Sequence, residues 1–137
     1  MTELLDRIGQ LALFADLSGP QREALVHTYD EEVFPEAQRV LRQGLTGSNL
    51  YVIVEGEAAV VINGEERTRL GPGEFFGEVS ALFGSPPTAD VVASTALRCI
   101  VIPGGEVRSF LVDYPHVAVR MLEAEAQRLA ATLQWLG

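Results

Sequence analysis

The segment Gly73–Ala93, GEFFGEVSALFGSPPTADVVA, holds the residues with the most chemistry to offer. Gly71-Pro72-Gly73 forces a turn, and Phe75 and Phe76 can anchor the segment in a core. Gly77 lets the backbone approach another group closely, and Glu78 to Phe83 has the length of one or two helical turns. At such a helix start the N–H groups of Gly77, Glu78, Val79 and Ser80 favour an anion. The Glu78 carboxylate repels a phosphate but accepts hydrogen bonds from a sugar hydroxyl. An anion nest beside one carboxylate fits a sugar phosphate. The alternative on spacing alone is a structural turn in which Glu78 caps nearby N–H groups.

Other reactive side chains do not assemble into an enzyme. His27 and His116 stand alone, without metal-ligand spacing. Ser80 and Ser85 have no histidine near them in sequence. The pairs Glu31-Glu32 and Glu65-Glu66 are adjacent residues, which on a strand point to opposite faces. Cys99 sits in the apolar run LRCIVI and reads as packed. A cupin-type barrel would need a histidine-rich metal motif, which is missing. The expectation is a protein with no catalytic residues, no metal and no resident cofactor.

Bulk properties narrow the partners. A chain of 137 residues reads as one domain with a core of useful size. The net charge is −9, with ten arginines and no lysine, which argues against nonspecific binding to nucleic acid or an acidic membrane. Arg39, Arg42, Arg67 and Arg69 leave room for one local basic patch. No apolar run has the length of a membrane span, the N-terminus does not read as a signal peptide, and the single cysteine excludes an internal disulfide. A cytoplasmic location is expected.

The elements that must position Glu78 are legible in outline. Leu4, Leu5, Ile8, Leu11 and Leu13 carry helix-like apolar spacing, and Ser18 reads as the N-cap of a second helix with Pro20 in its first turn and Leu25 and Val26 facing inward. From Tyr29 to Ile102 short β-branched runs alternate with turns, and Asn63-Gly64 predicts a type I′ hairpin. From Tyr114 the chain is helical again, with Leu122, Ala126, Leu129, Leu133 and Leu136 on one face. That stripe predicts either packing on the protein's own sheets or a dimer interface. Trp135 beside it can cover apolar surface on a partner.

The segments LALFADLSGPQREALV, RVLRQGLTGSNLYVIVEGEAAVVING and GPGEFFGEVSALFGSPPTADVVA together resemble a known family. It is the cyclic-nucleotide-binding domain shared by catabolite-activator-type regulators, cyclic-AMP-dependent kinase regulatory subunits and nucleotide-gated channels. The resemblance covers nearly the whole chain. It implies a mainly β fold, an eight-stranded double-stranded β-helix (jelly roll) with N-terminal helices and a long C-terminal helix. The single domain, 1–137, would be helical over 2–28, a β-roll over 29–102 and helical over 105–136. A regulatory role and a homodimer through the last helix are also implied.

The family cassette reads F-G-E, then small and apolar residues, then P-R-A-A-T/S-V. Phe76, Gly77, Glu78 and Pro86 match it. The resemblance implies that Gly77 and the neighbouring amides of Val79 and Ser80 hold a cyclic phosphate, and that Glu78 binds the ribose 2′-hydroxyl. The phosphate-pairing arginine is replaced by Pro87, followed by Thr88 and Ala89, and the T/S position is Asp90. Losing a charge-assisted hydrogen bond and adding an acid near the phosphate together cost about 5 kcal/mol. Binding of cAMP or cGMP is therefore expected to be weak or altered, unless Arg98, Arg108, Arg120 or Arg128 reaches the pocket. Thr132 is a conceivable nucleobase contact. The chain stops about where a DNA-binding domain begins in the family's activators, so direct nucleic-acid binding is not expected. The alternative is a ligand-free interaction or dimerisation module that keeps only the fold.

Overall fold

The computed structural model describes residues 2–45 and 49–136, apart from the side chains of Thr2, Trp135 and Leu136. Two helices open the chain, α1 (Thr2–Gln10) and α2 (Gly19–Thr28), joined through a 3-10 turn at Ala12–Phe14. The Ser18 hydroxyl accepts from the Gln21 N–H at 3.2 Å and the Gln21 side chain accepts from the Ser18 N–H at 2.9 Å, a complete capping box at the start of α2. Leu25 and Val26 are buried, as their pattern requires.

Eight strands come next: β1 (Asp30–Phe34), β2 (Arg39–Leu41), β3 (Leu50–Glu55), β4 (Ala58–Ile62), β5 (Glu65–Leu70), β6 (Phe75–Phe76), β7 (Asp90–Ala93) and β8 (Leu97–Ile102). They form two antiparallel four-stranded sheets, in the orders β1-β8-β3-β6 and β2-β7-β4-β5. A short helix, α3 (Glu78–Phe83), interrupts the strands. A 3-10 turn at Gly104–Glu106, then α4 (Val107–Asp113) and α5 (Pro115–Leu136), close the chain. This is the eight-stranded β-roll with helices at both ends that the family resemblance implies. At the β4–β5 hairpin Asn63 has φ 52° and Gly64 φ 81°, the pair of positive values a type I′ turn demands.

The central strands of the first sheet, β3 and β8, are buried on both faces, which explains their apolar runs LYVIV and CIVI. Along β3, Leu50, Val52 and Val54 face the helices while Tyr51 and Ile53 face the inside of the roll. The adjacent Phe75 and Phe76 divide the same way. The helical side is filled by Ile8, Phe14, Leu25, Val107 and Phe110, with Tyr29 and Tyr114 against the Phe110 ring. Inside the roll, burial pushes the Cys99 thiol up to about 12, so it is an inert packed side chain.

Charged pairs fasten the helices. Arg98 donates to Glu31 on β1 at 2.7 Å and to Glu3 on α1 at 2.5 Å. Arg120 on α5 donates to Asp16 at 2.6 Å. With Val117 and Met121 buried, the first half of α5 is docked on the helical layer. Truncation of the central ring should be costly: Phe110→Ala is expected to lose about 3–5 kcal/mol in chemical denaturation.

Candidate functional site

Between the second sheet and the C-terminal half of α5 lies a cavity of about 760 Å³. That lies within the range of about 300–1,000 Å³ typical of small-molecule sites. Its rim and walls come from β4, β5, the β6–α3 segment, the loop before β7, and α5.

Gly77 makes the arrangement possible. It has φ 90° and ψ −4°, ends β6 and begins α3, and a Cβ there would stand 2.1 Å from the Asn49 carbonyl oxygen. Only glycine combines that conformation with so close an approach. The turn it makes buries the Glu78 side chain, which is 9 % exposed. Gly84, with φ 69°, ends α3, and its N–H donates to the Ser80 carbonyl at 2.8 Å. The Ser80 hydroxyl donates to the Ser85 carbonyl, so its proton is already in use.

Glu78 is met by Arg128 from α5. The Arg128 Nη1 donates to Glu78 Oε1 at 3.0 Å and to Glu125 Oε1 at 2.9 Å, while Nη2 donates to the Phe75 carbonyl at 2.7 Å. The guanidinium carbon sits 4.4 Å from the centre of the Phe75 ring, a cation–π contact. Burial pushes the Glu78 carboxyl up to about 7, and the Glu125 carboxylate adds to the rise while Arg128 opposes it.

Phe76, Gly77, Glu78, Val79 and Ser80 line this cavity together with Pro87, Thr88 and Ala89. Asp90 does not. Its Oδ1 accepts from the Gln43 N–H at 2.6 Å and its Oδ2 lies 3.7 Å from Arg39 Nε. Side chains alternate along β7, so Val91 lines the cavity and Asp90 takes the other face. An acid confronting the guest is thus a sequence expectation that the structure corrects.

A second correction concerns cations. Of the four arginines considered from sequence, Arg98 and Arg120 are tied to Glu31 and Asp16, and Arg108 is exposed on α4. Arg128 lines the cavity, as do Thr132 and Arg67. Of the arginines of the candidate basic patch, Arg39 pairs with Asp90, and Arg69 with Glu57 and Glu66. Glu125 and Thr68 also line the cavity and escape sequence reasoning. The β4–β5 register, which sets Val60 opposite Thr68, carries the signal for Thr68. Nothing in sequence joins Arg128 to Glu78 across fifty residues. Among the described residues no group of histidine, cysteine, aspartate or glutamate side chains could hold a metal ion, and no helix is long and apolar enough to cross a membrane.

The roll, the glycine-entered α3 and the buried glutamate agree with a family model. The cyclic nucleotide-binding domain matches residues 31–114, more than half of the chain. The chain belongs to the cyclic nucleotide-binding domain family. The match ends just before α5, so Glu125, Arg128 and Thr132 lie outside it.

Among curated proteins, this cyclic nucleotide-binding domain is similar to the CRP-like cAMP-activated global transcriptional regulator of Mycobacterium tuberculosis. The two are 28 % identical over 137 residues, 96 % of this chain and 60 % of the relative. The chain thus spans about 60 % of the length of the curated relatives it matches. Among solved structures it resembles the Catabolite Activator Protein of Thermus thermophilus, with TM-score 0.78, 26 % identity, and coverage of 90 % of this chain and 61 % of that one. The regulatory domain of Toxoplasma gondii PKA, solved with cAMP, shares the fold at TM-score 0.74 and 18 % identity, over 91 % of this chain and 49 % of that one. These relatives are regulatory proteins by name.

The raised Glu78 value has a sign. The folded state holds a proton on Glu78 that the unfolded chain, near 4.5, gives up. This contribution, on the order of 3 kcal/mol, is fully present below about pH 4.5 and is lost as pH rises through about 7. Titration of the Glu78 carboxyl carbon by NMR should show a midpoint near 7, moving higher in Arg128→Gln. A midpoint at or below 4.5 would refute it.

Proposed function

We propose that this domain is a non-enzymatic regulatory module that senses a small ligand of the cyclic-nucleotide type, with weak or altered binding of cAMP and cGMP themselves. One observation carries the reading. At one end of the cavity Glu78 is buried with Arg128 on it, while Pro87 is the buried lining residue where the family resemblance expects an arginine. Hydrogen bonds to a charged group contribute about 1.5–3 kcal/mol, so the missing cation weakens a cyclic phosphate by roughly tenfold to a hundredfold. The Asp90 carboxylate, turned to Gln43 and Arg39, adds little to that penalty.

The relative from M. tuberculosis is named as a cAMP-activated regulator, and the likeness supports a regulatory role here. The output would run through α5, since Arg128 joins the cavity to that helix. On its outer face Leu122, Leu129 and Leu133 are 69 %, 60 % and 58 % exposed, and Ala126 between them is exposed too. Spacings of three and four residues make a seam that two copies could share. Leu136 and Trp135 lie outside the described side chains. The stripe is not packed on the domain's own sheets, which favours the homodimer.

Calorimetry with cAMP and cGMP should give dissociation constants weaker than about 10 μM. Pro87→Arg should tighten at least one of them by about tenfold or more. No gain in a folded variant would refute the reading, and an absence of binding in both proteins would favour the fold-only module. Leu129→Glu should keep the circular dichroism of the parent and sediment as one copy where the parent sediments as two. A parent that is already monomeric would remove the dimer.

A further inference from the structure

We propose that the cavity prefers an uncharged nucleoside, held by its ribose hydroxyls, over the cyclic nucleotide that carries the same sugar and base. The inference rests on the proposed sensing role and names the guest more narrowly. Its basis is the distribution of charge along the walls.

At the sugar end, Glu78 Oε1 accepts from Arg128, yet a carboxylate offers about four acceptor positions, which leaves capacity for a ligand hydroxyl. At the cassette end the side chains are Pro87, Thr88 and Ala89, none of them charged. The Ser80 hydroxyl proton is given to the Ser85 carbonyl. Helix α3 spans only six residues, too few for a strong dipole.

Neither cation of the walls comes from the cassette. Arg128 is held at the sugar end by Glu78, Glu125 and the Phe75 carbonyl. Arg67 belongs to β5, which is separated from β7 by β4 in the sheet order β2-β7-β4-β5. At about 4.8 Å per strand spacing its backbone is roughly 10 Å from the strand that ends the cassette. The walls carry Glu74, Glu78 and Glu125 against Arg67 and Arg128, an excess of negative charge once Glu78 is ionised. A phosphodiester entering at the cassette end gives up its water where no cassette side chain is charged, and meets surplus carboxylate along the walls. A nucleoside brings the same hydroxyls and base without that cost.

The test is calorimetry on the full chain with adenosine and cAMP, and with guanosine and cGMP. At least one nucleoside should bind about tenfold or more tightly than its own 3′,5′-cyclic phosphate. Its 2′-deoxy analogue should lose about tenfold, the signature of a hydroxyl on Glu78. In Pro87→Arg, checked for folding by circular dichroism, the order should reverse. Equal or tighter binding of the cyclic nucleotide by the parent overturns the preference and leaves the sensing role standing. Nucleoside binding without any gain for cyclic nucleotides in Pro87→Arg refutes the account of the cassette and leaves the preference standing. No binding of either nucleoside overturns the preference.

Discussion

The contact of Arg128 with Glu78 is the constraint on which the rest of the site depends. One guanidinium satisfies two carboxylates and a backbone carbonyl and lies over an aromatic ring. Each neighbour accounts for one part of the molecule. Glu78 belongs to the turn that Gly77 makes possible, Phe75 to the first sheet, and Glu125 to α5 itself. The first half of α5 has other anchors in Val117, Met121 and the Arg120–Asp16 pair. Beyond Met121 the helix is mostly exposed, and Arg128 is its charged tie to the roll. A guest that hydrogen-bonds Glu78 therefore competes with, or adds to, the interaction that sets the far half of α5. That half also carries the exposed leucines, so the Glu78–Arg128 contact and the apolar stripe are mechanically neighbours.

The cavity itself arises from the different burial of the two sheets. In the first, the central strands β3 and β8 have helices outside and roll inside, and their side chains fill both faces. The second is covered less completely. Its edge strand β5 is exposed along Glu65 to Arg69, and β4 is fully buried only at Ala58 and Ala59. Where helical packing ends, the space between this sheet and α5 stays open. Apolar side chains such as Leu41, Leu70 and Val91 line its floor, and the charged groups stand toward α5 and the β5 edge.

Much of the fold is legible in the sequence because its signals are local. The capping box at Ser18, the hairpin at Asn63-Gly64 and the apolar runs of β3 and β8 each state their structure within a few residues. The same holds for Gly77 and Glu78, whose types already limit what the turn can do. The features that sequence hides depend on long-range packing. Arg128 looks like any solvent-facing arginine until α5 is laid against β6. The leucine stripe reads equally as core or as interface until the helix is seen to dock by another face. Asp90 points away from the cavity because strand parity decides the side of each residue, and that parity depends on where β7 begins.

Asp90 and Pro87 therefore act differently, although they lie three residues apart. The Asp90 carboxylate accepts the Gln43 N–H and faces Arg39, and the Gln43 side chain is in turn bonded to Asn63 at 3.1 and 3.2 Å. The next amide, Gly44 N–H, donates to the Pro87 carbonyl at 2.9 Å. An acid at position 90 thus ties the β2 turn to the cassette and to the β4–β5 hairpin, outside the cavity wall. Its negative charge is spent on structure. Pro87 contributes only its carbonyl to that same network, and it lines the cavity as an uncharged residue. The Asp90 carboxylate thus holds the shape of the pocket in part, while Pro87 lines that pocket without a charge.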